Sequence, residues 1–149
     1  MNPNLLNNLA PLVLGNAIAA ASNTDDDTAI IDMAGFEGVV FMASIDDSAA
    51  TAVAEIKVQQ SAANAGGGMV DLVGAVATLT SAVDDDLNAQ FLAVDVFRPT
   101  ERYLRVNRAS NTANIAFGSV IAIRYGARKV PIDVAGAGVA TVVRSPAEV

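Results

Sequence analysis

Residues 91–128 constrain the fold most, because they contain an alternating strand, a chain break and two further strand-like segments. In residues 91–98 every second position is apolar, so that one side of an extended chain is formed by Leu92, Val94 and Val96. This two-residue period is typical of a strand with one buried face. Pro99 then interrupts the ladder, because proline has no amide hydrogen to donate. The interruption predicts a tight hairpin into a second strand.

The rest of the chain shows the same succession of short strands and turns. The second strand is predicted at residues 102–108, a polar turn at 109–114 and a third strand at 115–125. Further strands are predicted at residues 30–33, 36–44, 52–60, 75–80 and 139–144, separated by turns rich in Gly, Asp, Asn and Ser. Seven or eight short strands of this kind predict an all-β sandwich or jelly roll. At 149 residues the chain is long enough for one such domain, which we assign to residues 23–149.

Residues 1–22 predict an extended or partly helical N-terminal arm. They are rich in Asn, Leu and Ala, nearly uncharged, and interrupted by two prolines and a glycine. Apolar residues on an arm need cover, so we expect them to pack on a neighbouring subunit or on the surface of a larger particle, through Leu5, Leu6, Leu9, Leu12 and Leu14. A disordered terminus is the alternative. We expect no signal peptide here, because the first basic residue is Lys57.

Charge is divided unevenly along the chain. Residues 1–97 hold 13 acidic residues and one basic residue, whereas residues 98–149 hold eight basic and three acidic residues. The two parts therefore carry −12 and +5, which give the net charge of −7. This division reflects either acidic loops without a special role or an acidic surface on one subunit that meets a basic surface on a neighbour or partner. The negative total disfavours a nucleic-acid partner.

Few residues here suit enzymatic or metal chemistry. The chain has no cysteine and no histidine, which excludes a thiolate nucleophile and a Cys/His metal site. Three aspartate clusters, at residues 25–27, 46–47 and 84–86, offer hard oxygen ligands, but none has EF-hand spacing. Adjacent aspartates are more often solvated turn residues. We therefore expect no catalytic residue, no cofactor and no bound metal, and no apolar run reaches the ~20 residues of a membrane span.

Six arginines of the C-terminal part allow two interpretations: they form a solvated sheet face, or some of them bind a partner. Guanidinium groups bind carboxylates with two parallel hydrogen bonds, so some of these arginines are expected to pair across an interface. The two that bracket the Pro99 turn, Arg98 and Arg102, are the first candidates, with Glu101 as a possible local partner. Arg128, beyond the third strand, is the third predicted interface arginine.

Several segments of the chain resemble a family of small tailed-bacteriophage proteins that is associated with the capsid gene region and with capsid decoration, or cement. The resemblance covers residues 29–149 and is carried by AGFEGVVFMAS, EIKVQQSA, DVFRPTERYLRV, SVIAIRYGARKVP and the closing SPAEV. It implies a structural virion protein on the capsid surface, a β-sandwich, a homotrimer and the major capsid protein as partner. No functional residue of the family is carried over to a position of this chain.

Two rival functions stay open at this point. A carbohydrate- or host-binding module on a virion surface is also commonly a sandwich. The low aromatic content, 5%, speaks against sugar stacking. A head–tail joining or tail-tube protein would form a ring of subunits instead of a trimer.

Overall fold

The computed structural model describes residues 4–132 and 138–141, and within them the chain forms two packed antiparallel sheets. Two short 3-10 turns, Leu5–Asn7 and Gly66–Gly68, are the helical segments of this part. The strands, in chain order, are β1 (Ala10–Gly15), β2 (Asp25–Asp27), β3 (Ile31–Asp32), β4 (Gly38–Ser48), β5 (Val53–Ser61), β6 (Val70–Thr80), β7 (Phe91–Phe97), β8 (Tyr103–Asn111) and β9 (Ile115–Tyr125).

The strand order is that of a jelly roll. The first sheet has the order β1-β9-β4-β7, and the second has β2-β8-β5-β6 with β3 paired to β8. Apart from the short step from β2 to β3 and the β5–β6 hairpin, each connection carries the chain from one sheet to the other. Such crossing connections produce the double Greek key of jelly rolls. The predicted all-β sandwich is confirmed.

The core lies between the sheets and follows the predicted alternation. In β7 the side chains of Leu92, Val94 and Val96 are buried and those between them are exposed, as the sequence predicted. Large residues from both sheets meet inside with no exposed surface, among them Phe41, Ile45, Ile56, Leu104 and Phe117. Burial of this kind contributes about 25 cal/mol per Å² of apolar surface and holds the two sheets together.

The hairpin predicted at Pro99 is wrong, because β7 and β8 belong to different sheets. β7 pairs with β4, whereas β8 pairs with β5 and with β2. The chain therefore crosses from the first sheet to the second after β7, and the apolar faces of β7 and β8 enter the core from opposite sides. Arg98 makes this crossing in the left-handed backbone region, with φ 52°. The turn predicted at residues 109–114 is also shorter, since β8 continues to Asn111.

The predicted arm is integrated into the sandwich over its second half. β1 pairs with β9 along Ala10–Gly15, and the side chain of Leu14 is only 5% exposed. Further along, the Ile18 and Ala21 amides donate hydrogen bonds to β9 carbonyls at 2.9 and 3.2 Å. The interface prediction is therefore wrong for Leu14, because its side chain already lies in the core of its own subunit.

Two other predicted boundaries change. β6 begins at Val70 and not at residue 75. Its pairing with β5 is irregular: Lys57 pairs with Val76 and Gln59 with Asp71, so residues 72–75 lie opposite a single residue of β5. Gly74 supplies the left-handed φ of 82° that this irregular segment contains. The strand predicted at 139–144 lies partly outside the described residues, and 139–141 contain no strand.

Candidate interaction surfaces

Part of the divided charge of the sequence is paired within the subunit, where, among the described residues, four ion pairs join the acidic and the basic parts of the chain. β2 lies antiparallel to β8, so that Asp25, Asp26 and Asp27 face Ala109, Arg108 and Asn107. Asp27 forms an ion pair with Arg105 at 2.9 Å, and the Asn107 amide donates to both Asp25 and Asp27. The solvated turn predicted at 25–27 is therefore wrong, since these aspartates form a strand. The expected complementarity exists, but between strands of one chain.

Arg108 is the most buried of these charges. Its side chain is 2% exposed and points into the sandwich, on the same side of β8 as Leu104 and Val106. The guanidinium donates to the Asp26 carboxylate from two nitrogens and to the backbone oxygens of Asn16 and Gly118 at 2.8 and 2.9 Å. Arg108 thus connects the second sheet to β9 and to the segment after β1.

The other two aspartate clusters lie in a hydrogen-bonded turn and at the end of a strand. In residues 84–86 the Asp84 and Asp86 carboxylates accept backbone amide hydrogen bonds from Ala50, Ala82 and Val83, as turn aspartates do. The turn predicted at 46–47 is wrong, because β4 continues to Ser48. Within residues 4–132 and 138–141, no group of three or more acidic residues is arranged to hold a metal ion.

The three predicted interface arginines converge on one open cleft of about 570 Å³. The cleft lies where the loops before β4 and β8 meet the segment after β9, and the charged residues that line it are Glu37, Arg98, Glu101, Arg102 and Arg128. Backbone hydrogen bonds join its walls: the Arg98 amide donates to the Glu37 carbonyl at 2.7 Å, and the Arg128 amide to the Gly35 carbonyl at 2.9 Å. These bonds fix the relative positions of the three segments.

Arg102 is already paired within this cleft. Its guanidinium donates two hydrogen bonds of 2.8 Å to the two carboxylate oxygens of Asp32, so Asp32 and not Glu101 is the local partner. The hydrogen bond from Arg102 lowers the pKa of Asp32 from 3.8 to about 2. Because the pKa is lower in the folded state, the pair stabilises the fold above pH 3.8, and this stabilisation is lost as the pH falls towards 2. The exposed position keeps the effect small.

Arg98 and Arg128 remain available to a partner. The Arg98 side chain is 71% exposed; its guanidinium has a long contact of 3.9 Å with Glu37 and lies over the Phe97 ring, 5.0 Å from the ring centre. Arg128 is exposed and has no carboxylate within ion-pair distance in the part of the chain that the structure describes. Arg98 also adopts the strained backbone conformation noted above, and non-glycine residues in that region tend to occur at functional sites.

The predicted interface leucines divide between surface and interior. Leu5 is 70% exposed, and Leu6 and Leu9 are half-buried. Leu12 is partly buried against the core and Leu14 belongs to it. The structure therefore leaves the beginning of the arm, around Leu5, as the part of these leucines that is open to a partner, and this role stays a prediction.

The outer face of the first sheet is a second, largely apolar surface that we did not predict. One row of cross-strand neighbours, running through all four strands, consists of Val13, Ile121, Met42 and Ala93. The next row consists of Pro11, Ile123, Val40 and Asp95, and Phe91 and Phe97 flank the rows on β7. Phe91, Phe97 and Val13 are each about 60% exposed. We call these residues the outer sheet face.

Tyr125 crosses this face at one end. Its ring lies over Gly38, where an added Cβ would collide with the ring, and its hydroxyl donates a hydrogen bond of 2.6 Å to Asp95. Burial, together with the hydrogen bond to Asp95, raises the pKa of Tyr125 from 10.0 to about 12. A single tyrosine thus spans three strands and satisfies the carboxylate of the outer sheet face.

We expect the substitution Gly38→Ala to push the Tyr125 ring away and break its bond to Asp95. The pKa of Tyr125 should then fall from about 12 towards 10, and overpacking should destabilise the fold by about 1–3 kcal/mol. Ultraviolet titration of the phenolates measures the pKa, and Tyr125→Phe identifies which step belongs to Tyr125. A Gly38→Ala protein that keeps a tyrosine titrating near 12 would contradict this account.

The fold and its surfaces define a jelly-roll sandwich with two candidate contact surfaces. One is the cleft lined by Arg98, Arg102 and Arg128, which we call the arginine cleft, and the other is the outer sheet face. No helix of residues 4–132 and 138–141 is long and apolar enough to cross a membrane.

Comparison with known proteins gave similarities to solved structures, of which two are described here. No protein-family model and no curated protein sequence matches the chain. The SPBc2 prophage-derived protein YomS is similar with a TM-score of 0.42 and 10% identity, over 78% of this chain and 91% of that chain. A structure of infectious bursal disease virus, Gx strain, is similar with a TM-score of 0.48 and 8% identity, over 83% of this chain but 34% of the viral chain. The function of this chain is therefore inferred from its own sequence and surfaces.

Proposed function

We propose that this chain is a non-enzymatic structural protein of a phage virion, which binds the outer surface of the assembled capsid and stabilises it as a cement, or decoration, protein. The major capsid protein is its proposed partner, and the homotrimer implied by the sequence resemblance is its proposed form. The observation that carries the proposal is the arginine cleft, where Arg98 and Arg128 project from fixed backbone segments without close carboxylate partners in the described chain.

The state of the other arginines supports this choice of contact site. Arg102, Arg105 and Arg108 each bind a carboxylate of the same subunit, and the Arg124 guanidinium donates to the Asp32 carbonyl at 2.9 Å. Recruiting any of these to a partner would break an existing contact. Arg98 would give up only the long contact with Glu37 and the contact with the Phe97 ring, and Arg128 has no carboxylate within ion-pair distance in the described chain. A guanidinium binds a carboxylate or carbonyl of a partner in defined geometry.

Stabilisation of a shell follows from the number of contacts. A cement protein that binds neighbouring capsid subunits favours the assembled shell over free subunits, as any ligand favours the state it binds. Each contact need not be strong, because an oligomer engages several sites at once and gains in effective affinity. The arginine cleft would supply one contact per subunit, and the exposed start of the arm, near Leu5, would supply another.

We expect Arg98→Ala to weaken binding to capsids by about tenfold per site and to reduce its dependence on salt, because one interfacial charge is lost. Co-sedimentation of the purified protein with capsids at two salt concentrations measures both effects. Lys57→Ala is the matched control, since it also removes one positive charge but from the second sheet, where Lys57 pairs with Asp71 at 3.5 Å. Arg128→Ala should behave like Arg98→Ala.

Two outcomes would count against the proposal. Equal loss of binding in Arg98→Ala and Lys57→Ala would indicate general electrostatic attraction, not a contact at the cleft. Absence of binding by the unsubstituted protein would overturn the capsid-binding function itself. A ring of six or more subunits in solution, measured by light scattering, would favour a head–tail or tail-tube protein instead.

A further inference from the structure

We propose that the outer sheet face is where a second copy of this chain docks. This inference rests on the proposed function in one respect, because it assigns the surface through which copies of the proposed homotrimer associate. It does not depend on capsid binding, because it concerns the free protein. The face is a continuous four-strand surface with Met42 and Ile121 at its centre. It is built by the regular pairing of β1, β9, β4 and β7, so its side chains are held in register by the sheet and need no rearrangement to bind.

The low charge of this face points to a copy of the same chain. The face holds two carboxylates: Asp95 in the second row, which accepts a hydrogen bond of 2.6 Å from the Tyr125 hydroxyl, and Asp46, which lines the same depression as Met42 and Ile121. The chain as a whole carries −7, so two copies repel each other over most of their surfaces. A face whose other row residues are uncharged weakens this repulsion where the copies meet.

The apolar character of the face supports the same occupant. Interfaces between partners that also exist separately are about as apolar as the rest of a protein surface, whereas homo-oligomer interfaces are more apolar. Here the four neighbours of the central row are all apolar, and Phe91 and Phe97 expose about 60% of their surface beside it. A permanently associated copy would keep these side chains from water.

The size of the face is consistent with the centre of an interface. Four strands about 4.8 Å apart, with outward residues spaced about 6.8 Å along each, give a flat area of roughly 400 Å². This is within the range of the largest patches on monomer surfaces, about 300–600 Å², which are often functional. Each partner in a standard interface buries about 800 Å², of which the apolar centre is one part and a polar rim the rest.

The test places a charge at the centre of the face. We expect light scattering behind a sizing column to give a multiple of 15.2 kDa for the unsubstituted protein and a single chain mass for Met42→Lys. An unpaired charge in a dry interface should weaken association roughly 100-fold or more. Ala93→Lys, at an exposed position of β7, should have the same effect and serves as the second variant if Met42→Lys fails to fold.

Val70→Lys is the matched control. Val70 is 67% exposed on β6 of the other sheet and lies outside the cleft that β6 forms with Asp95 and Phe97, so the same substitution there should leave the mass of the oligomer unchanged. A monomeric unsubstituted protein would overturn the inference, as would an unchanged mass for Ala93→Lys. If the protein is monomeric and Ala93→Lys abolishes capsid binding, the outer sheet face contacts a shell subunit, and the inference of a docked second copy is overturned. Loss of capsid binding in Arg98→Ala alone would leave that inference intact.

Discussion

Replacing Arg108 by leucine is expected to destabilise the protein more than any other single change of charge. The substitution removes a donor that is 2% exposed from the Asp26 carboxylate, which is 37% exposed, and from the carbonyls of Asn16 and Gly118. Removing one partner of a fully buried ion pair costs about 3–5 kcal/mol, but the Asp26 carboxylate reaches water, so we expect a loss of about 2–3 kcal/mol, mainly from the acceptors left without their donor. Urea unfolding should therefore show a lower midpoint with an unchanged slope.

Two comparison variants show whether burial causes this effect. Arg102→Leu also removes an arginine that is hydrogen-bonded to an aspartate, but this pair is exposed and should change the midpoint far less. The double variant Arg108→Leu with Asp26→Leu removes both charges, so it should be less destabilised than the sum of the two single variants. Equal effects of Arg108→Leu and Arg102→Leu would contradict the role assigned to the buried guanidinium.

The partners of Arg108 also show what the sequence leaves undetermined. The three aspartates of β2 have the local composition of a turn, which predicts a solvated turn at this position. They form a strand because Arg105, Asn107 and Arg108, about 80 residues further along the chain, present donors opposite them. A pairing between distant segments cannot be found from the composition of either one. The uneven charge along the chain was its only trace in the sequence.

The crossing at Pro99 was not predicted for the same reason, because it too depends on pairing between distant segments of the chain. A strand, a proline and another strand predict a turn correctly, but the local pattern does not distinguish a hairpin from a passage between sheets. Period-two alternation correctly predicted which side of β7 is buried, because it depends only on neighbouring residues. The pairing of β7 with β4, and of β8 with β5, depends on how all the buried faces share one core.

The outer sheet face has a signal in the sequence. Val39, Val40 and Phe41 lack a polar alternate position, and by itself this pattern predicts a strand buried on both faces. In the structure Val39 and Phe41 are fully buried, whereas Val40 points to the outer sheet face and is only half-buried. An apolar residue at each position of a strand therefore indicates two covered faces. In this chain the core covers one, and we propose that a second copy covers the other.

The second large effect on stability is expected in the arm, where the sequence predicts the same interface role for Leu5 and Leu14. Leu14→Ala should destabilise the fold by about 2–5 kcal/mol, because it removes a side chain that is 5% exposed and leaves a cavity between the sheets. Leu5→Ala should leave stability nearly unchanged, since Leu5 is 70% exposed. Urea unfolding of both variants measures the difference.

In capsid binding the order of the two leucines should be reversed, with the larger effect at Leu5. Leu5→Ala should weaken co-sedimentation with capsids if the start of the arm contacts the shell, while a folded Leu14→Ala protein should bind as the unsubstituted protein does. Equal stability of the two variants would contradict the inclusion of β1 in the sandwich core. Normal binding by Leu5→Ala would remove Leu5 from the proposed contact and leave the arginine cleft as the site that must hold the shell.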